Sequence, residues 1–305
     1  MSGSDTFLVT GASGQLGRLV LDALLERGAQ HVIGTTRNPE ALAEYAARGV
    51  DVRAGDFTKP GSLPEAFSGA THLLLISTHV VGSRSDAHRS AIEAAKKAGV
   101  RHIFYTSHAS PDTSSSPVAP EHAITEKAIL TSGLTYTILR NFLYSENLLL
   151  ILPQALAQDR FQGAAGDARV AWLTRKDCAE AAAGAMLNAT AHENRIYDVT
   201  GAHGYSYGDV AALLSKIVGR PIAYEDLTAD AYKAALMDRG LSNAAATTYL
   251  NLELSLRSGE MEPVNDVVKR LTGHEPTSLE SFLEHGRLTA EQSESLAFLR
   301  GEPHG

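Results

Sequence analysis

The sequence predicts an α/β protein, in which a doubly wound parallel sheet is followed by a smaller, mostly helical C-terminal lobe. Through the first half of the 305-residue chain, short apolar, β-branched runs alternate with amphipathic segments of helical length, as is typical of βαβ units. A glycine-rich segment between Gly11 and Gly17 follows the first apolar run and leads into the first helical segment. Beyond residue 147 helices dominate. These patterns are typical of a Rossmann-like sheet with a second lobe.

Six strand-like runs occur in the first half, and helical segments separate most of them. Because the runs are apolar throughout, they predict strands that are covered on both faces of the sheet. Right-handed connections between parallel strands then place any ligand beyond the carboxyl ends of the strands. The predicted strands are residues 7–10, 31–35, 50–53, 73–77, 103–107 and 135–139, and the predicted helices are residues 16–27, 39–48, 86–98 and 122–132.

The second half of the chain has a different pattern of predicted secondary structure. It predicts helices at residues 147–158, 175–188, 206–218 and 228–239, with extended segments only at 170–173 and 196–200. We therefore divide the chain into a first domain, residues 1–147, and a smaller lobe, residues 148–305, while a strand near 195–200 can still join the main sheet. The segment 107–120 is rich in serine and proline and too polar to pack, so we expect a mobile loop there.

Composition and charge exclude several classes of protein. Lys and Arg number 27 against 35 Asp and Glu, which gives a net charge of −8 (27 − 35), and no segment concentrates the basic residues that a nucleic-acid groove needs. The longest apolar run, residues 148–152, ends at Pro153, whereas a membrane-spanning helix needs about 20 apolar residues. Cys178 is the single cysteine, and the N-terminus lacks the layout of a secretory signal. We expect a cytoplasmic protein that binds neither nucleic acid nor membrane.

The glycine-rich segment has the features of a pyrophosphate-binding turn. Gly11 permits the turn, Gly14 lets a phosphate approach the backbone, and Gly17 allows the helix to pack closely on the strand. The unpaired N–H groups and the positive dipole end of the following helix attract phosphate. The spacing is Gly-x-x-Gly-x-x-Gly rather than Gly-x-Gly-x-x-Gly, so an ordinary glycine-rich loop is the alternative. The expected phosphate site consists of Gly11, Ser13, Gly14, Gln15, Leu16 and Gly17.

The end of the second predicted strand indicates which dinucleotide binds. An NAD site places an acidic residue there, about 20 residues beyond the turn, but this stretch contains Arg37 and no acid. A guanidinium binds a 2′-phosphate bidentately whereas a carboxylate repels it, so Arg37 predicts NADP(H) as the cofactor. Thr35, Thr36 and Arg18 are candidate helpers. The alternative is a solvated arginine in front of a helix capped by Asn38.

The residues after the third predicted strand are candidates for the adenine side of the site. Asp56 could accept a hydrogen bond from an adenine amino group, and Phe57 could pack against the ring. A turn role for Asp56 is an equally good interpretation, because aspartate favours turns.

Several segments in the same order resemble the NmrA-like, atypical short-chain dehydrogenase/reductase family. They are VTGASGQLG, TTRNPE, LLLISTHVVGSRSDAHRSAIEAAKKAGVRHIFYTS, EHAITEKAIL, YTILRNFLYSENL and TGHEPTSLESFL. Within the family the sequence is most similar to bacterial NADPH-dependent quinone oxidoreductases and triphenylmethane dye reductases. The resemblance covers nearly the whole chain. It implies a Rossmann NADP-binding domain at residues 1–147 and a substrate-binding lobe at residues 148–305, with the substrate in the cleft between them.

The resemblance also implies roles for individual residues beyond the glycine turn and Arg37. Lys127 would approach the nicotinamide ribose, and Tyr144 would border both the nicotinamide and the substrate; we treat these two as the catalytic candidates. The other residues implied to contact the cofactor or line the pocket are Ile76, Ser77 and Thr78 on the ribose and nicotinamide side, and Asn141, Ser145 and Asn147 around Tyr144.

One departure from the family pattern affects the predicted chemistry. Most short-chain dehydrogenases use Tyr-x-x-x-Lys on a helix, where the lysine lowers the tyrosine pKa, but Ala123 lies four residues before Lys127. Hydride addition to a quinone gives a stabilised phenolate or hydroquinone, so that reaction needs less from a dedicated acid. Lys127 could also be a surface lysine. Candidate proton donors are His79, Tyr105, His108, His122 and Tyr144.

Two functions therefore stay open at the level of the sequence. The first is an NADPH-dependent oxidoreductase that transfers hydride to a quinone or a similarly conjugated, flat small molecule. The second is a regulatory sensor that binds NADP(H), performs no turnover and signals to a partner protein. A homodimer is compatible with both. The 12 histidines are scattered without ligand spacing, so we expect no metal.

Overall fold

The computed structural model describes residues 5–78 and 82–285, and its centre is a seven-stranded parallel sheet. The strand order is β3-β2-β1-β4-β5-β6-β8, so the order reverses between β1 and β4. All six neighbouring pairs run parallel. The doubly wound, Rossmann-like sheet predicted from the sequence is confirmed. The seven strands are β1 (Phe7–Val9), β2 (Val32–Thr36), β3 (Asp51–Ala54), β4 (His72–Leu75), β5 (His102–His108), β6 (Thr135–Asn141) and β8 (Arg195–Val199).

Helices cover both faces of this sheet, as the apolar strands require. On one face α1 packs against α7, and on the other α3, α4 and α5 lie side by side. Adjacent strand residues point to opposite cores: Phe104 packs with the α1 and α7 side, and Tyr105 with the α4 and α5 side. The helices of this part are α1 (Gln15–Glu26), α2 (Ala43–Ala47), α3 (Leu63–Phe67), α4 (Arg84–Lys97), α5 (Ala119–Leu130) and α7 (Arg175–Leu187).

The second lobe is mostly helical but contains a small parallel sheet of its own. Its two strands, β7 (Arg160–Gly163) and β9 (Ala223–Asp226), were not predicted, because β9 has a polar, half-exposed sequence. Residues 170–173, expected to be extended, form only isolated bridges from Val170 to Tyr205 and from Leu173 to Tyr144. The remaining helices are α6 (Leu152–Gln158), α8 (Tyr207–Val218), α9 (Ala229–Asp238), α10 (Asn243–Leu256), α11 (Val267–Thr272) and α12 (Leu279–His285).

The chain returns to the main sheet twice after residue 148. First, β8 pairs with β6 and becomes an edge strand of the sheet. Later, α11 packs against α7 and β8. At this contact a Cβ on Gly184 would lie only 2.0 Å from the carbonyl oxygen of Leu271, so the absence of a side chain lets the two helices approach.

The serine- and proline-rich segment 107–120 is more ordered than its composition predicts. Its first two residues complete β5, and its last two begin α5. Between them, Ser116 and Ala109 are buried, and the Ser114 hydroxyl donates to the Glu260 carboxylate at 2.6 Å. The expectation that the segment is too polar to pack is therefore wrong, because Ala109 and Ser116 are buried and the Ser114 side chain is bonded to the second lobe.

Two predicted helices are divided in the structure. The segment 39–48 forms a 3-10 turn, Pro39–Leu42, before α2, and the segment 147–158 forms another, Ser145–Leu150, before α6. Pro153 lies in the first turn of α6, where a missing N–H costs nothing. Of the described helices, none has the length and apolar character that crossing a bilayer would require.

Candidate cofactor and substrate site

In the glycine turn between β1 and α1, backbone atoms lie where the side chains of other residues would be. Gly11 has a positive φ of 58°, and Gly14 is the N-cap of α1 with no side chain to cap the helix. A Cβ on Gly17 would lie 2.4 Å from the carbonyl oxygen of Gly11 and 2.7 Å from the Cα of Ala12. The N-terminus of α1 thus presents N–H groups at the carboxyl end of β1, as phosphate binding requires. Gln15 is exposed there, whereas Leu16 is buried in the core.

Arg37 follows β2 next to this turn. Its side chain is exposed, and within the described residues its guanidinium has no hydrogen-bond or ion-pair partner. Ser13 of the turn contacts Thr36 at the end of β2, with 2.7 Å between the two hydroxyl oxygens. By contrast, Arg18, a candidate helper, is bonded to Glu44 and to the carbonyl of Ala41. Arg37 is therefore the available cation beside the turn.

Asp56, after β3, forms a turn with its own neighbour. Its Oδ1 accepts from both the backbone N–H and the hydroxyl of Thr58, at 2.9 and 2.8 Å, and the hydroxyl bond in particular lowers the pKa of Asp56. The turn interpretation therefore describes this carboxylate, which leaves an adenine contact as a prediction. Phe57 is half-buried and packs against the core on the α4 side.

Residues 76–78 run along the carboxyl end of β4, and side chains fix their backbone. The N–H groups of Ile76, Ser77 and Thr78 donate to Thr10, Thr106 and His88, respectively. Because His88 Nε2 is the acceptor, its Nδ1 carries the proton and donates to Thr125 at 3.0 Å. Burial lowers the pKa of His88 to about 3, so the ring is neutral. The segment is thus held rigidly at the switch point of the sheet.

Tyr144 lies just after β6, on the side of the second lobe. Its phenol oxygen accepts from Asn141 Nδ2 at 3.3 Å, and its backbone bridges to Leu173. Burial raises the pKa of Tyr144, so the phenol stays protonated. Two buried polar atoms beside it, Asn141 Oδ1 and Ser145 Oγ, have no hydrogen-bond partner in the described part of the chain. Asn147 is half-buried and closes the same turn with an N–H bond to the Tyr144 carbonyl.

Lys127 lies on the helix α5. Its side chain is exposed, and no ion-pair partner for it exists among the described residues. The buried face of α5 carries His122, Thr125 and Glu126, and Lys127, one position beyond Glu126, is turned about 100° away from it around the helix. A role for Lys127 near the nicotinamide ribose stays a prediction, with a surface lysine as the alternative.

Glu126 occupies the position at which α5 meets the strand ends. It is 3% exposed and forms a two-pronged ion pair with Arg140 at 3.0 and 2.6 Å. It also accepts from the Ser107 hydroxyl at 2.6 Å. Ser107 and Arg140 are register partners on β5 and β6. The ion pair therefore locks α5 to the two strands that end beneath the site.

The other proton-donor candidates form a buried cluster. Tyr105 and His122 share a hydrogen bond of 2.7 Å between the phenol oxygen and Nδ1, and the rings of His122 and His108 are 5.9 Å apart. Burial lowers the pKa of both histidines, that of His122 to about 2. His108 Nε2 is buried without a partner. His79 lies outside the described residues.

Reasoning from the sequence missed three residues that shape this site. Arg84 is buried at the start of α4 and donates to the Thr78 carbonyl at 2.7 Å. Glu121 accepts the N–H groups at the start of α4, and Arg175 lies over the Tyr144 ring. The spacing of Arg84 and His88, four positions apart on one helix face, was a signal that could have been noticed. In the described part of the chain, no three His, Cys, Asp or Glu side chains form a group that could hold a metal.

Comparison with known proteins agrees with this geometry. The chain is 38% identical over 278 residues to quinone oxidoreductase 2 of Escherichia coli (91% of this chain, 97% of that protein) and 30% identical over 279 residues to an NAD(P)H azoreductase of Xenophilus azovorans (90% and 96%). Two crystal structures cover 92% of this chain and 99% of their own. One is the NADPH complex of the E. coli NADPH-dependent quinone oxidoreductase, at 38% identity and a TM-score of 0.88; the other is the NADP(H) complex of a Citrobacter triphenylmethane reductase, at 32% and 0.86. Because the model of the NmrA-like family matches residues 3–283, this chain belongs to that family.

Proposed function

We propose that this protein is an NADPH-dependent oxidoreductase that transfers hydride to a quinone or a similarly conjugated, flat electrophile. The observation that carries the proposal is the uncapped N-terminus of α1 at the glycine turn, with the unpaired Arg37 beside it. Relatives that span nearly the whole chain are named as NAD(P)H-dependent reductases of quinones, azo compounds or triphenylmethane dyes, which supports the same chemistry here. We set the sensor alternative aside because these relatives are enzymes.

The residues present fit NADPH on two grounds. The close approach of Gly17 to the Gly11 carbonyl leaves no room for a side chain, so the turn can accept a pyrophosphate against its backbone. Buried Asn141 Oδ1 lacks a hydrogen-bond donor, and the carboxamide of a nicotinamide offers one. In this proposal Gly11, Ser13, Gly14, Gln15 and Gly17 hold the pyrophosphate, Arg37 the 2′-phosphate, and Ile76, Ser77 and Thr78 the nicotinamide side.

Bound NADPH would supply the hydride, and residues of the chain would position the nicotinamide and the acceptor and offer polar groups to them. The rigid segment 76–78 fixes the nicotinamide side, and Tyr144 closes the opposite side with a protonated phenol. The Tyr144 oxygen already accepts from Asn141, so its own hydrogen is free to bond an oxygen of the acceptor. Leu143 and the Tyr144 ring offer flat apolar contact to the substrate.

The same proposal assigns a role to each of the two domains. Residues 1–147, with the later strand β8, form the NADP-binding domain, and residues 148–305 form the lobe that covers the substrate. Leu173 and Arg175 are the residues of the second lobe that contact Tyr144. We also expect the reaction to take place in the cytoplasm, where a chain with the single cysteine Cys178 needs no disulfide.

The test is cofactor oxidation in the presence of defined acceptors. Loss of the near-ultraviolet absorbance of NADPH is followed with benzoquinones, naphthoquinones and a cationic triphenylmethane dye, and the series is repeated with NADH. We expect acceptor-dependent oxidation of NADPH and a much slower reaction with NADH. If NADPH binds, as judged by thermal shift, and no acceptor is reduced, the proposal is wrong and the sensor function replaces it.

A further inference from the structure

Arg84 is a cation enclosed by the protein at the carboxyl end of β4. Its side chain is 4% exposed, and Nε donates to the Thr78 carbonyl oxygen at 2.7 Å. The Nη1 atom of the same guanidinium is buried and finds no hydrogen-bond partner among residues 5–78 and 82–285. A buried N–H donor is almost always paired in a folded protein. One donor beside the segment 76–78 is therefore left for something that the chain itself does not supply.

The carboxylates near Arg84 are already engaged elsewhere. Glu121 accepts the backbone N–H groups of Gly82 and Arg84, both at 2.9 Å, and that of Ser85 at 3.4 Å. Glu126 forms its two-pronged pair with Arg140. In the part of the chain that is described, Arg84 makes no ion pair. Burial lowers the pKa of Arg84, and the Glu121 charge offsets only part of this effect, although a guanidinium stays charged in proteins.

The histidines and the tyrosine around Arg84 carry no charge at neutral pH. Burial lowers the pKa values of His88, His108 and His122, and the positive charge of Arg84 lowers them further. Burial also raises the pKa of Tyr105, which keeps the phenol neutral. The cluster thus contains the positive charge of Arg84 in a place of low dielectric, and the Glu121 carboxylate that interacts with this charge is bonded to backbone N–H groups and not to the guanidinium. A positive charge there interacts with an anion far more strongly than it would in water.

The reaction under "Proposed function", on which this inference rests, creates such an anion. When a neutral quinone receives hydride, that is two electrons and one hydrogen nucleus, it becomes the monoanion of the hydroquinone. A proton from water then completes the hydroquinone. The tyrosine that serves as the acid in other short-chain dehydrogenases is replaced here by Ala123, and the Lys127 side chain is exposed. The negative charge therefore needs another partner in the site.

We propose that Arg84 is a further catalytic residue, which binds an oxygen of the acceptor through Nη1 and stabilises the negative charge that hydride transfer leaves on it. The bond from Nε to Thr78 fixes the plane of the guanidinium against the segment that borders the nicotinamide. The donor is thus oriented before the substrate arrives, and no reorganisation is needed as charge develops.

This role makes a specific prediction about substrate choice. A quinone changes from neutral to anionic on receiving hydride, whereas a triphenylmethane cation changes from positive to neutral. A fixed positive charge favours the first reaction and does not help the second. Arg84 is therefore expected to set the preference for quinones over cationic dyes.

The kinetic test compares Arg84→Gln with Arg89→Gln, an exposed arginine five positions later on the same helix that pairs with Asp86. We expect Arg84→Gln to lower kcat for a naphthoquinone by about 100-fold, the scale seen when one oriented donor to a developing oxyanion is removed. Dye reduction should change little, and Arg89→Gln should match the wild type with both acceptors. An equal loss for quinone and dye would mean that Arg84 only supports Thr78, and would overturn the proposal.

A binding measurement without turnover gives an independent test. 4-Nitrophenol absorbs visible light as its phenolate, so its pKa can be titrated while it is bound to the protein with NADP⁺. Wild-type protein should lower the pKa of the bound phenol by about one unit or more, the scale expected for an opposite charge a few ångströms away. Arg84→Gln should remove this shift. An unshifted pKa in the wild type, or one that Arg84→Gln leaves in place, would contradict the proposal.

The two tests also separate this inference from the proposed function. If wild-type protein reduces no quinone, the proposed function fails whatever the phenol titration shows. If it reduces quinones and Arg84→Gln does so equally well, only the role of Arg84 fails. If Arg84→Gln does not fold, Arg84→Lys replaces it in the phenol titration. Because lysine keeps the positive charge, Arg84→Lys should keep most of the pKa shift of the bound phenol. If the pKa shift disappears in Arg84→Lys, this result contradicts the role of Arg84.

Discussion

Arg175 lies over the ring of Tyr144, with its guanidinium carbon 4.8 Å from the ring centroid. The contact joins the segment after β6 to the first residue of α7. Glu146 fixes the arginine, because its carboxylate accepts the Arg175 backbone N–H at 3.0 Å and lies 3.7 Å from the guanidinium. One face of the Tyr144 ring is thus occupied, which leaves the other face and the hydroxyl for a ligand.

The Tyr144 hydroxyl is therefore the first group to test. Tyr144→Phe keeps the ring and its contact with Arg175 but removes the hydrogen that can bond the acceptor, so we expect kcat to fall by about 10-fold, the value of one hydrogen bond. Steady-state kinetics with NADPH and a naphthoquinone measure it. The control is Lys97→Ala, at an exposed lysine at the end of α4, which should leave kcat unchanged. An equal loss of kcat in Lys97→Ala would show that the effect is not specific to the Tyr144 hydroxyl.

We expect a single methyl group added to the glycine turn to lower both the stability of the protein and its affinity for NADPH. In Gly17→Ala the new Cβ would meet the backbone of Gly11 and Ala12 at 2.4 and 2.7 Å, and backbone cannot move aside cheaply. We expect destabilisation of about 1–3 kcal/mol, typical of overpacking, together with a loss of NADPH affinity. Gly61→Ala, where nothing lies within 4 Å of the new Cβ, is the control. Urea denaturation and fluorescence titration measure both effects, and equal behaviour of the two variants would contradict the role of Gly17.

Arg37 should determine which cofactor binds. Arg37→Ala removes the unpaired cation beside the turn, so the dissociation constant for NADPH should rise by about 10- to 100-fold, the range for a charge-assisted hydrogen bond. The constant for NADH should hardly change, because NADH has no 2′-phosphate. Fluorescence titration with both cofactors measures the ratio, and Arg160→Ala on β7 is the surface-charge control. An unchanged ratio would refute NADP(H) as the preferred cofactor.

Some parts of the molecule could be predicted from the sequence and others could not. The apolar strands of the main sheet and the glycine turn depend on neighbouring residues, so a local pattern predicts them. Strands β7 and β9 are short and partly polar, and their pairing joins segments about 60 residues apart, which no local pattern reveals.

The burial of Glu126 could not be predicted from the sequence for a similar reason. On α5 the apolar residues Ile124 and Leu130 are exposed while His122, Thr125 and Glu126 are buried. The usual inference from an apolar stripe therefore assigns the wrong face to this helix. Only the distant partners Arg140 and Ser107 account for the burial of Glu126. Arg84 was missed for the same reason, because its environment is assembled from α4, α5 and β5.

Buried histidines predict the stability of the protein in acid. Burial lowers the pKa of His102 to about 4 and that of His88 to about 3, whereas in the unfolded chain both titrate near 6.5. Below about pH 6.5 the unfolded chain takes up protons that the folded chain does not, so the free energy of unfolding falls as pH falls. Each group contributes up to about 1.4 kcal/mol per pH unit.

Two buried carboxylates act in the opposite direction, since burial raises the pKa values of Glu146 and Glu253. The histidines prevail between pH 7 and pH 5 because they outnumber these carboxylates: burial lowers the pKa values of six histidines, His72, His88, His102, His108, His122 and His192. Urea midpoints measured between pH 7 and pH 5 should therefore decrease steadily, and His102→Gln should reduce the slope by about one proton. His31→Gln, an exposed histidine, should keep the wild-type slope. A flat profile in the wild type would contradict the neutral state of these rings.

The ion pair between Glu126 and Arg140 should respond differently to single and double substitution. Glu126→Leu leaves a half-buried guanidinium without its partner and leaves the Ser107 hydroxyl without its acceptor, so we expect a loss of about 3–5 kcal/mol. The double variant with Arg140→Met removes both charges and should recover most of that stability, because an apolar pair of similar volume replaces the salt bridge. Urea denaturation of both variants and of Arg140→Met measures the coupling. If the double variant is no more stable than Glu126→Leu, the loss arises from packing and not from the stranded charge.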